Sequence, residues 1–136
     1  SPTTCKVVIN SIESELNSIK INNQMYWFGN KISDQIKLHK NIHFLPAFDE
    51  ILISYKSREV SIALENQSKA FTKNGIFKPV ILENGNVIGT WQRTLKKDFV
   101  HIKTQFFTNP GENNKNTIFE ALLSLEKYLE TKIVVE

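Results

Sequence analysis

The run FKPVILENGNVIGTWQRT, residues 77–94, constrains this chain more than any other stretch. Two segments rich in β-branched and aromatic residues flank Asn84-Gly85, and that dipeptide accepts the two positive φ angles a type I′ turn requires. The spacing predicts a tight antiparallel hairpin. Pro79 has no N–H to give to a ladder, so it marks an edge strand or a strand's first residue. Gly89 in the return strand signals a bulge or tight bend, a device small barrels use at their corners.

Downstream, LKKD (95–98) makes a second turn and FVHIKTQFF (99–107) a third strand. Phe99, Ile102 and Phe106 cannot share one face by strict alternation, so a twist or bulge is expected. TNPGENNKN reads as a loop, after which Thr117 and Glu120 form a T-x-x-E capping box that predicts a helix start. Ile118, Leu122, Leu125 and Leu129 then recur as one apolar stripe, with Glu126, Lys127 and Glu130 off it. That pattern predicts a helix packed on a sheet, and KIVVE can add a last short strand.

Upstream, Val8, Ile12 and Leu16 stand at helical spacing within residues 7–16, and SIKINNQMYWF reads as two short strands around Asn22-Asn23. A helix feeding a small hairpin matches the end of a winged helix and equally an ordinary α/β fragment. GNKISDQIKLHK (29–40) is polar and reads as connector or edge, placing the boundary between residues 1–30 and 31–136 there. ENQSKAFTKNG (65–75) reads as a polar loop. There is no internal repeat or low-complexity segment.

With 136 residues, 40% hydrophobic and 23% charged, the chain has the makings of about one ordered domain that needs no metal or disulfide to fold. No apolar run approaches the roughly 20 residues that cross a bilayer, and no signal-peptide pattern opens the chain. Cys5 stands alone, ruling out an internal disulfide and a CxxC motif. A cytoplasmic protein is expected, without membrane, metal or cofactor. With Ser1 in place of Met, the chain is expected to be a piece of something longer. The net charge of +3 leans only mildly toward polyanions, so placement of the cations matters more than their total.

FLPAFDEILISYKSRE (44–59) sets Asp49 and Glu50 side by side in an apolar run. On a strand the two carboxylates would point to opposite faces, which argues against joint acid–base work. The other reading has one carboxylate bonded to backbone N–H groups or a cation at a strand or helix entrance, with its neighbour solvated. His39, His43 and His101 lack partners at metal-ligating spacing, and no GxGxxG, P-loop or GxSxG motif occurs. No catalytic constellation remains. Arg93, Lys96, Lys97 and Lys103 gather around the LKKD turn, where flexible cations reach phosphates and Trp91 or Gln92 can touch a base or sugar. Lys56 and Arg58 supply a second cationic turn. The alternative is a solvated turn that keeps a sheet edge from pairing.

Taken together, FLPAFDEILISYKSR and NGIFKPVILENGNVIGTWQRT resemble the C-terminal region of the winged-helix DNA-binding family that contains the AlkZ/YcaQ-type bacterial DNA glycosylases. The matching residues are Leu45, Pro46, Phe48, Asp49, Glu50, Tyr55, Lys56 and Arg58, then Gly75, Phe77, Pro79, Gly85, Gly89 and Trp91. The resemblance implies an α+β chain: a partial winged helix, then a small antiparallel β-barrel with a C-terminal helix packed on it. In that arrangement Pro46 sets a bend and Phe48 and Ile51 are core candidates. It implies DNA as partner, upstream winged-helix domains of the same protein, and excision of alkylated or crosslinked purines through a Gln-x-Gln or Gln-x-Asp motif. Neither motif occurs here, so catalysis would lie outside this chain. A small barrel binding a protein or small molecule is the remaining alternative.

Overall fold

The computed structural model describes residues 2–21, 23–29 and 41–136 and divides into two compact units, Ser1–Lys37 and Leu38–Glu136. The expected turn residue Asn22, the connector over 30–40 with His39, and the boundary drawn between residues 30 and 31 lie outside the described residues.

In the first unit, α1 (Pro2–Ser11) is followed by a 3₁₀ turn over Glu13–Glu15 and an antiparallel hairpin of β1 (Leu16–Ile21) and β2 (Gln24–Gly29). The helix stops short of the expected Leu16. Ser11 Oγ donates to the Val8 carbonyl at 2.7 Å, which satisfies a last-turn acceptor, and Leu16 already pairs with Gly29 in the hairpin. Asn23 takes the left-handed φ of 66° that the turn uses.

The second unit is built on one sheet with strands in spatial order β3 (Ile42–Leu45), β4 (Val80–Glu83), β5 (Asn86–Leu95), β6 (Val100–Phe106) and β7 (Ile133–Val135). The Asn84-Gly85 turn closes β4–β5 with φ of 48° and 84°. Pro79 stands immediately before β4, an interior strand, so its missing N–H falls at a strand start. Register shifts between Ile81 and Leu82, opposite Val87 and Gly89, leaving Ile88 as the extra residue of a bulge. Gly89 is obligatory beside it: a Cβ there would stand 2.7 Å from the Gln105 carbonyl oxygen.

The expected antiparallel barrel is instead a curled half-barrel. The chain leaves β6 through α4 (Glu112–Leu129), a crossover that brings β7 alongside β6 in parallel, and among the described residues β3 and β7 remain separate edges. Helix α4 covers one face, where Ile42, Ile81, Trp91, Val100, Ile102 and Leu122 form a core. The other face is covered by α2 (Glu50–Ile53), α3 (Leu64–Ala70) and their loops, over Leu52, Ile62, Ala70, Val80, Leu82 and Val87. Burying a side chain such as Leu52 or Ile81 completely contributes about 1.5–3 kcal/mol.

Three local expectations change. Helix α4 begins at Glu112 after Gly111 (φ 72°), so Thr117 lies inside it and caps nothing. Residues assigned to a polar loop form α3, held because Ala70 is fully buried and Lys78 N–H bonds its carbonyl at 2.9 Å. Strand β6 needs no bulge, because Phe99 belongs to the turn and Val100, Ile102 and Phe106 share one face.

Candidate nucleic-acid interface

Leaving β3, the chain turns at Phe48, whose φ is 59°, and enters α2. Asp49 caps that helix, its Oδ1 accepting from Ile51 N–H at 3.0 Å, while Glu50 is exposed in the first turn. The pair thus stands at a helix entrance rather than on a strand, and the alternation argument does not apply to it. Pro46 is exposed, and Ile51 is half-buried against the second core. Phe48 is 53% exposed, not core, with its ring edge-on to Phe77 at 6.0 Å.

Arg58 is half-buried and engaged by its surroundings. Its Nε donates to the Leu52 carbonyl and Nη1 to the Lys56 carbonyl at 3.3 Å, and its guanidinium lies 5.2 Å and 5.1 Å from the ring centroids of Phe71 and Phe77. A planar fork that bonds carbonyls along its edge and offers its face to rings ties the loop after α2 to the strand-like pair Phe71–Phe77. Neighbouring Lys56 is exposed.

Trp91 is 5% exposed; its Nε1 donates to the Leu45 carbonyl at 2.8 Å, and Phe44 meets its ring edge-on at 5.7 Å. The expected contact of Trp91 with a base or sugar is therefore corrected: the ring is core, and its one donor is taken.

The hairpin of β5 and β6 runs in unbroken register from Gly89↔Phe106 to Leu95↔Val100, and Lys96 N–H closes on the Phe99 carbonyl at 2.9 Å. Arg93 pairs with Ile102 and Lys103 with Gln92. Paired residues share a face and successive ones alternate, so Arg93 stands on the α4 side and Lys103 on the opposite side. Lys96 and Lys97 occupy the turn, and all four cations are exposed. Asp98 is the single acid between Trp91 and Phe106. Leu95, the last residue of β5, is 72% exposed beside Lys96. Sequence reasoning passed over it individually; its signal was an apolar side chain directly before a Lys-Lys-Asp turn.

Among the described residues, no group of three or more His, Cys, Asp or Glu side chains is placed to hold a metal, and no helix is long and apolar enough to cross a membrane.

The second unit is thus a curled half-barrel buttressed by a C-terminal helix and carrying a hairpin with a basic end. The chain belongs to the AlkZ-like DNA glycosylase family, whose model matches residues 6–128. The structure of the DNA glycosylase AlkZ from Streptomyces sahachiroi is similar at a TM-score of 0.70 and 15% identity, over 100% of this chain and 38% of that one. At that identity the likeness is one of fold, and this chain spans well under half the length of that protein. No curated protein sequence matches. The family inferred from the Leu-Pro-x-Phe-Asp-Glu and Gly-x-Phe-x-Pro motifs is the family found.

Proposed function

We propose that this chain is the DNA-gripping C-terminal part of a winged-helix protein, with the β5–β6 hairpin as its principal contact. The observation that carries this reading is the distribution of charge: Arg93 and Lys103 on opposite faces of one hairpin end, Lys96 and Lys97 at its turn. A finger with cations on both sides suits a duplex groove, where phosphate rows lie on either hand. Exposed Leu95 gives that finger an apolar tip of the kind that wedges between base steps. On this reading α1 and the β1–β2 hairpin are the last helix and wing of a winged helix. Lys56 is an auxiliary phosphate contact, whereas Arg58 and Trp91 serve the fold.

Family membership favours a second, compatible reading for the whole protein: a glycosylase acting on alkylated or crosslinked purines, with its Gln-x-Gln or Gln-x-Asp motif outside this chain. Both readings share the hairpin. Duplex binding by this chain at low salt, measured before and after replacing Arg93, Lys96 and Lys97 together by Ala, tests it; binding unaffected by the replacement would remove the hairpin's role.

A further inference from the structure

Arg58 is held along one edge only. A guanidinium carries five N–H groups, of which Nε–H goes to the Leu52 carbonyl and one Nη1–H to the Lys56 carbonyl. Among the described residues nothing accepts from Nη2, and no carboxylate lies within ion-pairing distance of the group. No buried side-chain nitrogen or oxygen of the described residues is without a hydrogen-bond partner, so the Nη2 edge meets solvent. The two carbonyl bonds and the rings of Phe71 and Phe77, whose centroids lie 5.2 Å and 5.1 Å from Cζ, fix the plane in place. Against the same Phe77 ring stands Phe48, more than half exposed. Its φ of 59° is unfavourable for so bulky a residue, and an exposed ring recovers little of that cost through burial. Backbone outliers of this kind gather at ligand clamps and switch segments.

We infer that the open edge of Arg58, with Phe48 beside it, docks a short peptide segment of a partner protein in which a single carboxylate adjoins a large apolar side chain. This goes beyond the DNA-binding reading and stands apart from the hairpin. The outer edge of a guanidinium still offers parallel N–H groups, the geometry that takes both oxygens of a carboxylate. Because the fold already holds the plane, little side-chain freedom is lost on binding. The exposed ring of Phe48, with exposed Ile76 next to Phe77, gives the neighbouring apolar residue a surface to cover. Local charge decides between a peptide and a polyanion. From Phe48 to Glu59 the chain carries Asp49, Glu50 and Glu59 against Lys56 and Arg58. A row of phosphates would therefore meet more like charge than opposite charge, whereas one carboxylate needs only the fork.

The test titrates the full chain with the peptide GSFEGS and with its GSFQGS and GSAEGS forms, followed by NMR through the Arg58 Nε–H resonance. GSFEGS should move that resonance to saturation. GSFQGS, which has no charge to offer the fork, should bind about tenfold more weakly, the scale of a hydrogen bond to a charged group, and GSAEGS several-fold more weakly. Phe48→Gly removes the ring while glycine accepts the same φ without strain, so the segment keeps its path. That variant should bind GSFEGS and GSAEGS alike. An Arg58 resonance that GSFEGS leaves in place, equal affinity for GSFEGS and GSFQGS, or a Phe48→Gly form that still prefers the aromatic peptide overturns the inference. A DNA duplex that moves the Arg58 resonance where GSFEGS does not overturns it in favour of nucleic acid. Loss of duplex binding on replacing the hairpin cations, with the peptide response intact, leaves the two surfaces independent, as the inference expects.

Discussion

The indole N–H of Trp91 is hydrogen-bonded to the carbonyl of Leu45 at 2.8 Å, tying the middle of β5 to the end of edge strand β3. The bond spans the interior strand β4 and sits where the α4-facing core meets the turn into α2. Trp91→Phe keeps an aromatic ring but strands that carbonyl. Urea unfolding should show a loss of about 1–2 kcal/mol, with affinity for duplex DNA unchanged. A variant of parental stability and weakened DNA affinity would reverse the assignment of Trp91 to the fold.

Gly89 is required by space and not by its dihedral angles. Its added Cβ would meet the backbone of Gln105 at 2.7 Å and of Phe106 at 3.0 Å, and backbone in a paired strand cannot swing aside. Gly89→Ala should cost about 2–3 kcal/mol, measured as a lowered denaturation midpoint. Gly85→Ala, with open space around it but a φ of 84°, should be milder, at about 1 kcal/mol.

Arg58 holds its loop through geometry more than through charge, so a lysine cannot replace it. Arg58→Lys loses the forked carbonyl bonds and the stacking over Phe71 and Phe77. A destabilisation of about 1–2 kcal/mol is expected, while duplex affinity at fixed salt changes less than about twofold, because the total charge is kept. If the lysine form were fully stable but bound DNA poorly, Arg58 would belong to the interface after all.

The acids of the same segment separate cleanly. Asp49→Ala removes the α2 cap and should cost about 1 kcal/mol, whereas Glu50→Ala, in solvent, should fall within about 0.5 kcal/mol of the parent. Thermal unfolding of both forms is enough to compare them.

How far the sequence could be read depended on how local each cause was. The Asn84-Gly85 turn, the strand start after Pro79 and the bend at Gly89 are dictated by residues within a few positions, and all three were legible. Helix α3 was not, because ENQSKA has no apolar stripe of its own and is held by burial of Ala70 in the core with Leu52, Ile62, Val80, Leu82 and Val87. The start of α4 was missed for a related reason: Thr117-x-x-Glu120 is a good cap in isolation, but Gly111 ends the loop well before that box begins. The half-barrel follows from β7 joining in parallel, a non-local choice that so short a strand does not encode.

The site was legible to the same degree. A lysine-rich turn between two strands can be read directly, and Lys96 and Lys97 are where that reading puts them. Trp91 and Arg58 look equally suited to DNA in sequence, yet their partners Leu45, Leu52, Phe71 and Phe77 are supplied by the fold. Alternation along β5 and β6 also separates Arg93 from Lys103, a distinction that requires the register.

The central claim, that the hairpin end grips phosphates from both of its faces, is tested most directly by the salt dependence of duplex binding. The parent chain should show a linear fall of log K with log salt concentration. Replacing Arg93, Lys96, Lys97 and Lys103 by Ala one at a time should reduce the slope by about 0.9 for each phosphate that the removed side chain had neutralised, Arg93 and Lys103 included. A slope that none of the four replacements alters, or no duplex binding by the parent even at low salt, would contradict the account.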